Sequence, residues 1–174
     1  MGGNSDNAET SEVGANWTEE RFARLVRLAA RAFNRSLQIR LSTAGVTFGQ
    51  WIFLRVLWYN DGLSQRELSR RANLTEPTTH AALAKMEALE FISRRNVDGN
   101  MRRLHSFLTP KGWALRDQLE PLAIEVNTLA MAGLSDDEAL MLRRGLYTLI
   151  QNLERDEVQS ARKGRRVPAT RDAN

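Results

Sequence analysis

The sequence predicts a mostly helical protein: a winged helix-turn-helix with N- and C-terminal dimerisation helices. Three features favour this fold class. Two short amphipathic segments meet at a tight turn near 72–75, and a basic hairpin follows them over 93–108. Longer segments with apolar stripes flank this central part on both sides, and each needs a surface against which to bury its stripe.

The composition of the chain is that of an ordinary globular protein, with 42% hydrophobic and 26% charged residues among 174. No apolar run approaches the roughly 18 residues that a membrane span requires, and no signal peptide is recognisable. We therefore expect a cytoplasmic protein without membrane contact. The absence of cysteine excludes disulfides and thiol-based redox switches.

The N-terminal region is predicted to contain a tail and one long helix. Residues 1–16 are rich in Gly, Asn, Ser and acidic side chains, which is typical of a disordered tail. In region 17–45 we expect a dimerisation helix that begins at Thr18, with Trp17 and Phe22 placed as a hydrophobic staple. Its apolar stripe consists of Phe22, Val26, Ala29, Phe33 and Leu37, and it ends near Leu41.

The outer face of this first helix is rich in arginine. Its members are Arg21, Arg24, Arg27, Arg31, Arg35 and Arg40. Such a face fits four interpretations that the sequence leaves open: pairing with acidic helices of a partner subunit, contact with the DNA backbone, binding of an anionic ligand, or simple solvation.

Region 46–110 is predicted to be the winged helix-turn-helix. Its first helix is capped by Thr47 to Gln50 and has a mainly buried face, formed by Trp51, Leu54, Leu57 and Trp58. After the break at 60–62, Leu63 is placed to form a short bridge with the wing. The next helix opens with a capping box of Ser64 and Glu67.

The second helix of the helix-turn-helix has one core face and one small polar face. It is capped at Thr75, with Pro77 in its first turn. Its inward residues are Thr79, Leu83, Met86 and Leu89, and it is expected to continue into Phe91 and Ile92. The opposite face carries Thr78, His80, Ala81 and Lys85, short or polar side chains that suit a helix entering the major groove.

The wing supplies arginines that suit contact with DNA. Its strands are predicted at 93–97 and 103–108, around a turn at 98–101. Arg102 and Arg103 at its tip can enter the minor groove or pair with phosphate, although one of them can instead bridge to Asp98.

Two helices are predicted in region 111–158, followed by a basic disordered tail at 159–174. The first opens at Thr109 and Pro110, and Pro121 should kink or split it; the second opens with a capping box at Ser135. Their apolar stripes have no partner within the winged helix, so we expect a second copy of the chain to cover them.

The charge of the chain is unevenly distributed. The net charge of +4 is accounted for by the C-terminal segment 162–174. Residues 66–111 hold nine Arg or Lys against five Asp or Glu, whereas residues 112–161 hold four against nine. A basic region at 66–111 and an acidic region at 112–161 favour a protein that presents one face to phosphate. They favour it over a protein whose charges are merely solvated.

Catalysis and metal binding find little support in the sequence. The two histidines, His80 and His105, lie on predicted DNA-facing elements, and no nucleophile triad or phosphate-binding glycine loop is present. We expect no enzyme activity, no cofactor and no metal site.

The motifs QRELSRRANL, TEPTTHAALAKMEALEFISRR and DGNMRRLHSFLTPKG, in this order, resemble the MarR family of bacterial transcriptional regulators over roughly 18–157. The resemblance implies a homodimer on a pseudo-palindromic operator, often released by a small aromatic ligand. Two departures stand out: Glu90 replaces the glycine that usually closes the recognition helix, and the wing retains Asp98 and the arginine pair but lacks the family's inner Arg and Asp.

Together these features predict a DNA-binding regulator, expected to be a repressor, with a protein-binding winged helix as the alternative. The predicted DNA-binding residues are Ser64, Gln65, Thr75, Thr78, Thr79, His80, Lys85, Arg94, Arg102 and Arg103. The resemblance also implies a ligand pocket for an aromatic acid or an acyl-CoA thioester, formed by Phe33, Trp51, Arg55, Trp58 and Trp113. These aromatic side chains can equally be ordinary core. Arg55 favours the pocket, because a guanidinium beside apolar core needs a partner.

Overall fold

The computed structural model of the protein describes residues 17–97 and 104–165. These ranges are mostly helical, as predicted, with three short strands. In order the elements are α1 Phe22–Thr43, α2 Phe48–Tyr59, β1 Leu63–Ser64, α3 Gln65–Ala72, α4 Glu76–Ala88, β2 Ile92–Asn96, β3 Leu104–Leu108, α5 Pro110–Ala130 and α6 Asp136–Arg162.

The wing is an antiparallel sheet in the order β1-β3-β2. Leu63 lies opposite Ser106 on one side, and Arg94 lies opposite the same residue on the other. The predicted bridge at Leu63 is therefore confirmed. The expected continuation of the recognition helix to Ile92 is wrong: α4 ends at Ala88, and the chain reverses at Glu90, where φ is +60°. Ile92 instead begins β2.

Side-chain caps start α2 to α6 at the predicted positions. The Ser64 amide donates to Glu67 Oε2 at 2.9 Å, and the Ser64 hydroxyl accepts from the Glu67 amide, which completes a capping box. Thr47 and Ser135 form equivalent boxes. Each cap satisfies amide groups that the first helical turn leaves without a partner.

The core is centred on α2, which buries Trp51, Phe53, Leu54, Leu57 and Trp58. α1 packs along α5, and Arg40 links them through a 2.8 Å contact to Glu125. This hydrogen bond from Arg40 holds the pKa of Glu125 below its ordinary value. The two helices therefore support the winged helix from its far side.

The predicted start of the first helix is wrong. Residues 17–20 form a turn, α1 begins at Phe22, and its N-cap Arg21 makes no side-chain cap. Trp17 and Phe22 are 62% and 59% exposed, so they form no staple. The physical reason is that this end of the helix is less buried: the buried residues of α1, Leu37 and Leu41, lie in its second half.

The C-terminal helices also differ in detail from the expectation. α5 is not split at Pro121, which is exposed, so solvent can hydrate the carbonyl that loses its donor. α6 extends past the predicted boundary at 158 to Arg162 and ends in a turn around Gly164, where φ is +75°. None of its residues is buried. Within the described ranges, no helix combines the length and the apolar character that a membrane span needs.

Candidate nucleic-acid interface

The recognition helix α4 is oriented by its cap and its core face. The Thr75 hydroxyl accepts from the Thr78 amide at 3.3 Å and lies 2.8 Å from the Thr78 hydroxyl. Leu83 and Met86 are fully buried, and this burial turns the opposite side of the helix outward. As a result, Thr78, His80 and Lys85 are exposed.

Thr79 faces inward, as its helical spacing with Leu83 and Met86 predicted. It is 0% exposed, and its hydroxyl lies in the core, out of reach of a base edge. It lies on the same side of α4 as Leu83, one turn away. Thr79 is thus a core residue, and its inclusion among the DNA contacts is corrected.

The start of α3 lies beside α4. The Gln65 Oε1 atom is 3.1 Å from Nδ1 of His80, although the two residues are on different helices. Ser64, which precedes Gln65, pairs with His105 of β3 and caps α3. Ser64 therefore serves the architecture of the interface through its capping bonds.

α3, α4 and β3 together border a groove of about 750 Å³. Charged and polar side chains line it, among them Gln65, Arg66, Glu67, Arg70, His80 and His105. Such a polar groove beside an exposed recognition helix is suited to contact with a charged, hydrated partner.

The wing arginines have different environments. Arg94 is largely covered, and its guanidinium contacts Glu87 at 2.8 and 2.6 Å while its amide donates to the same carboxylate at 2.9 Å. It therefore joins β2 to α4. Arg102 and Arg103 lie outside the described residues.

Two arginines of this surface were not among the DNA-binding residues predicted from the sequence. Arg66 and Arg70 are both exposed on α3, one turn apart, and they line the groove. Their spacing of four residues on a helix beside the turn was the available signal. They add positive charge next to the exposed face of α4.

Hydrogen bonds lower the pKa of two carboxylates at this surface, Glu67 and Glu87. Ser64, through its hydroxyl and its amide, keeps the pKa of Glu67 below the ordinary value of 4.5, and His105 and Arg70 act in the same direction. Arg94 lowers the pKa of Glu87 in the same way. Both carboxylates are thus already occupied by groups of the protein.

The residues of the predicted ligand pocket are only partly brought together. Trp51 and Trp58 are buried and meet edge to face, with ring centroids 5.5 Å apart. The Trp58 indole donates to the Gly112 carbonyl at 3.0 Å, while Phe33 packs against the core from α1. Trp113 is 41% exposed.

Arg55 lies at the edge of this cluster and not within it. Its guanidinium is 5.8 Å from the centroid of the Trp51 ring, and its side chain is exposed along a 420 Å³ groove between α2 and α3. The guanidinium therefore lies beside the apolar core, where solvent and the face of Trp51 are its neighbours. No group of three or more metal-ligating side chains occurs among the residues that the structure describes.

Comparison with known proteins agrees with this architecture. A model of the MarR family matches residues 44–103. The HTH-type transcriptional regulator TtmR of Methylorubrum extorquens is 31% identical over 141 residues, covering 81% of this chain and 69% of that protein. The HTH-type transcriptional repressor Rv2887 of Mycobacterium tuberculosis is 29% identical over 109 residues, covering 63% and 78%.

Solved structures show the same fold. A MarR family regulator from Listeria monocytogenes, complexed with a 26mer DNA, superposes with a TM-score of 0.72 at 23% identity, over 86% of this chain and 99% of that one. This superposition shows that the two chains share a fold. The family model and the identity to TtmR establish that the chain belongs to the MarR family of winged helix-turn-helix transcriptional regulators, which are DNA-binding proteins and not enzymes.

Proposed function

We propose that this regulator is a homodimeric repressor that binds a pseudo-palindromic operator. The winged helix-turn-helix of 46–110 contacts DNA, and the helices of 17–45 and 111–158 join two copies. The observation that carries the proposal is the exposed face of α4, where Thr78, His80 and Lys85 lie beside the polar groove. In a two-fold dimer, two such helices enter successive major grooves about 34–36 Å apart.

The roles within this face follow from side-chain chemistry. Thr78 and His80 carry groups that can pair with base edges, whereas Lys85 has a point charge suited to phosphate. Gln65 and Thr75 lie next to this face, and Arg66 and Arg70 are exposed near it. Arg102 and Arg103 remain candidates for contact by the wing.

The proposal of a dimer is supported by α6. This helix has 27 residues, none of them buried, yet it exposes a continuous apolar stripe of Leu142, Leu146, Ile150 and Leu153. Water contact with so much apolar surface is unfavourable by about 25 cal/mol for each Å². Pairing with a second copy removes that cost and places two recognition helices on one operator.

We further propose release by a small aromatic acid. The relative Rv2887 has been solved with p-aminosalicylic acid, and the regulator BpsR of Bordetella bronchiseptica is controlled by 6-hydroxynicotinic acid. In this chain, Arg55 beside Trp51 combines a cation with an aromatic face at the edge of α2. A ligand there changes DNA affinity only if it binds one arrangement of the recognition helices better than the other.

The DNA proposal is tested by footprinting on the regulator's own promoter region, followed by titration at several salt concentrations. We expect one protected palindrome and an affinity that falls steeply with salt, because phosphate contacts release counterions. No protected site and a flat salt dependence would instead favour a winged helix that binds protein. Since an operator lies on the genome, we place the protein in the cytoplasm.

The ligand proposal has its own test. Aromatic acids and acyl-CoA thioesters are screened by thermal shift, and those that stabilise the protein are then tested for release of DNA. We expect Arg55→Ala to lose the stabilisation while retaining operator binding. If no compound raises the melting temperature, the ligand proposal fails and the DNA proposal is untouched.

A further inference from the structure

His80 has a fixed neighbour on one side of its ring. Gln65 Oε1 lies 3.1 Å from Nδ1, within hydrogen-bond distance. A carbonyl oxygen only accepts hydrogen bonds, so this contact requires a hydrogen on Nδ1. In the neutral imidazole, that tautomer leaves Nε2 with a lone pair and no hydrogen.

The position of Gln65 is itself constrained. It is the first residue of α3, directly after the Ser64 cap, and Ser64 is paired with β3. Gln65 is half-buried, whereas His80 is exposed. The backbone that carries Gln65 is therefore fixed by the helix start, and the imidazole next to its side chain has Nδ1 in contact with Oε1 while the residue as a whole is exposed.

From this geometry we infer that His80 acts as a hydrogen-bond acceptor at the operator and selects a base with an exocyclic amino group, adenine or cytosine. In the major groove, only adenine N6 and cytosine N4 donate hydrogen bonds, whereas guanine and thymine present acceptors. Gln65 is the positioning residue that sets this preference through the His80 tautomer. The inference rests on the proposed DNA contact by α4.

The test begins by placing all four base pairs at each operator position and measuring affinity for the wild-type protein and two variants. We expect the wild type to prefer adenine or cytosine at one position in each half-site. His80→Ala should lose this preference by about 5- to 140-fold, the range for a good base contact. Gln65→Met, of similar length but without an amide oxygen, should weaken the same preference by about 2- to 12-fold.

Base analogues then test whether the exocyclic amino group of the base is the group that His80 contacts. Purine in place of adenine, or 2-pyrimidinone in place of cytosine, lacks the amino group and should weaken wild-type binding but not that of His80→Ala. This coupling is one that a merely structural role for Gln65 or His80 would not produce. Arg71→Ala is the matched control and should leave the base preference intact, because Arg71 is an exposed residue of α3 that lines the groove between α2 and α3.

Three other outcomes would contradict the His80 tautomer, the role of His80 in base selection, or DNA binding itself. A preference for guanine that couples His80 to guanine N7 or O6 would mean that Nε2 donates, and the assigned tautomer would be wrong. A steep salt dependence on a protected operator, with no position changed by His80→Ala, would reject the inference alone. Absence of any protected operator would reject the proposed function as well.

Discussion

Glu90 adopts a backbone conformation that its side chain disfavours. Its φ is +60°, in the left-handed region, because the chain must reverse between α4 and β2. Its backbone is nonetheless fixed there: the Glu90 carbonyl accepts from the Thr109 hydroxyl at 2.5 Å, and the Phe91 amide bonds to the Met86 carbonyl at 2.9 Å. A residue with a Cβ atom is strained in this region by roughly 1–2 kcal/mol.

Glu90→Gly should therefore stabilise the protein. We expect the free energy of unfolding to rise by about 1 kcal/mol, since relief of strain exceeds the added chain entropy of glycine. Urea denaturation measures this change in the free energy of unfolding. Glu90→Ala is the control: it removes the exposed carboxylate and its 3.9 Å pair with Lys111 but keeps the strain. A similar gain in both variants would assign the effect to charge.

Gly112 is required for close packing at the start of α5. A Cβ atom on this residue would lie 2.1 Å from the carbonyl oxygen of Phe91. That distance is far inside van der Waals contact, and the obstacle is backbone. The Gly112 carbonyl also accepts from the Trp58 indole, so any shift disturbs the core.

Gly112→Ala should destabilise the protein by about 3 kcal/mol, a value at the upper end for single substitutions because two packed segments must separate. Chemical denaturation is the measurement. Gly49→Ala serves as the control, since a Cβ atom there meets nothing within 4 Å. Equal stability of the two variants would show that this junction can relax.

At the scale of elements, an ion pair between Glu87 and Arg94 joins α4 to the described part of the wing. Glu87 on α4 binds the backbone and the guanidinium of Arg94 on β2. The hydrogen bond from Arg94 lowers the pKa of Glu87 in the folded state. A lowered carboxyl pKa means that the contribution to stability is full above the unfolded value and is lost as the pH falls through the folded value.

Glu87→Gln should accordingly lose about 1 kcal/mol of stability at pH 7, a value discounted because Glu87 is partly exposed. The difference from the wild type should shrink as the pH falls below 4.5, the ordinary value for this carboxyl. Unfolding measured between pH 7 and pH 3 checks this sign. A difference that is constant over the range would mean that the charge of Glu87 is irrelevant.

For the whole molecule, we expect assembly and DNA binding to depend on α6. Leu146→Glu combined with Leu153→Glu places two charges in its apolar stripe, which would oppose burial against a second copy. Analytical ultracentrifugation should show a monomer, and operator affinity should fall by at least about tenfold because two half-sites are no longer bound together.

The matched control carries Arg143→Glu and Arg155→Glu, which alter charge on exposed positions of the same helix without removing apolar side chains. It should retain the dimer. A dimer that survives both substitutions in the stripe would place the interface on other helices.

Local signals in the sequence were enough to predict the winged helix. The caps at Ser64, Thr75 and Thr109 act within one helical turn, and the apolar spacing of α4 determines which face is buried. These features depend on neighbours within a few residues, so the helix order, the Leu63 bridge and the outward placement of Thr78, His80 and Lys85 were predictable from residue types alone.

The tertiary structure decided where α1 starts and which neighbours Arg94, Arg55 and His80 have, because the residues that contact one another there are far apart in the chain. The start of α1 depends on whether the chain buries Trp17 and Phe22, and in a single copy both are exposed. The role of Arg94 depends on Glu87, and that of Arg55 on its exposure beside Trp51. The contact between Gln65 and His80, separated by 15 residues, exists only because the turn brings the start of α3 against α4.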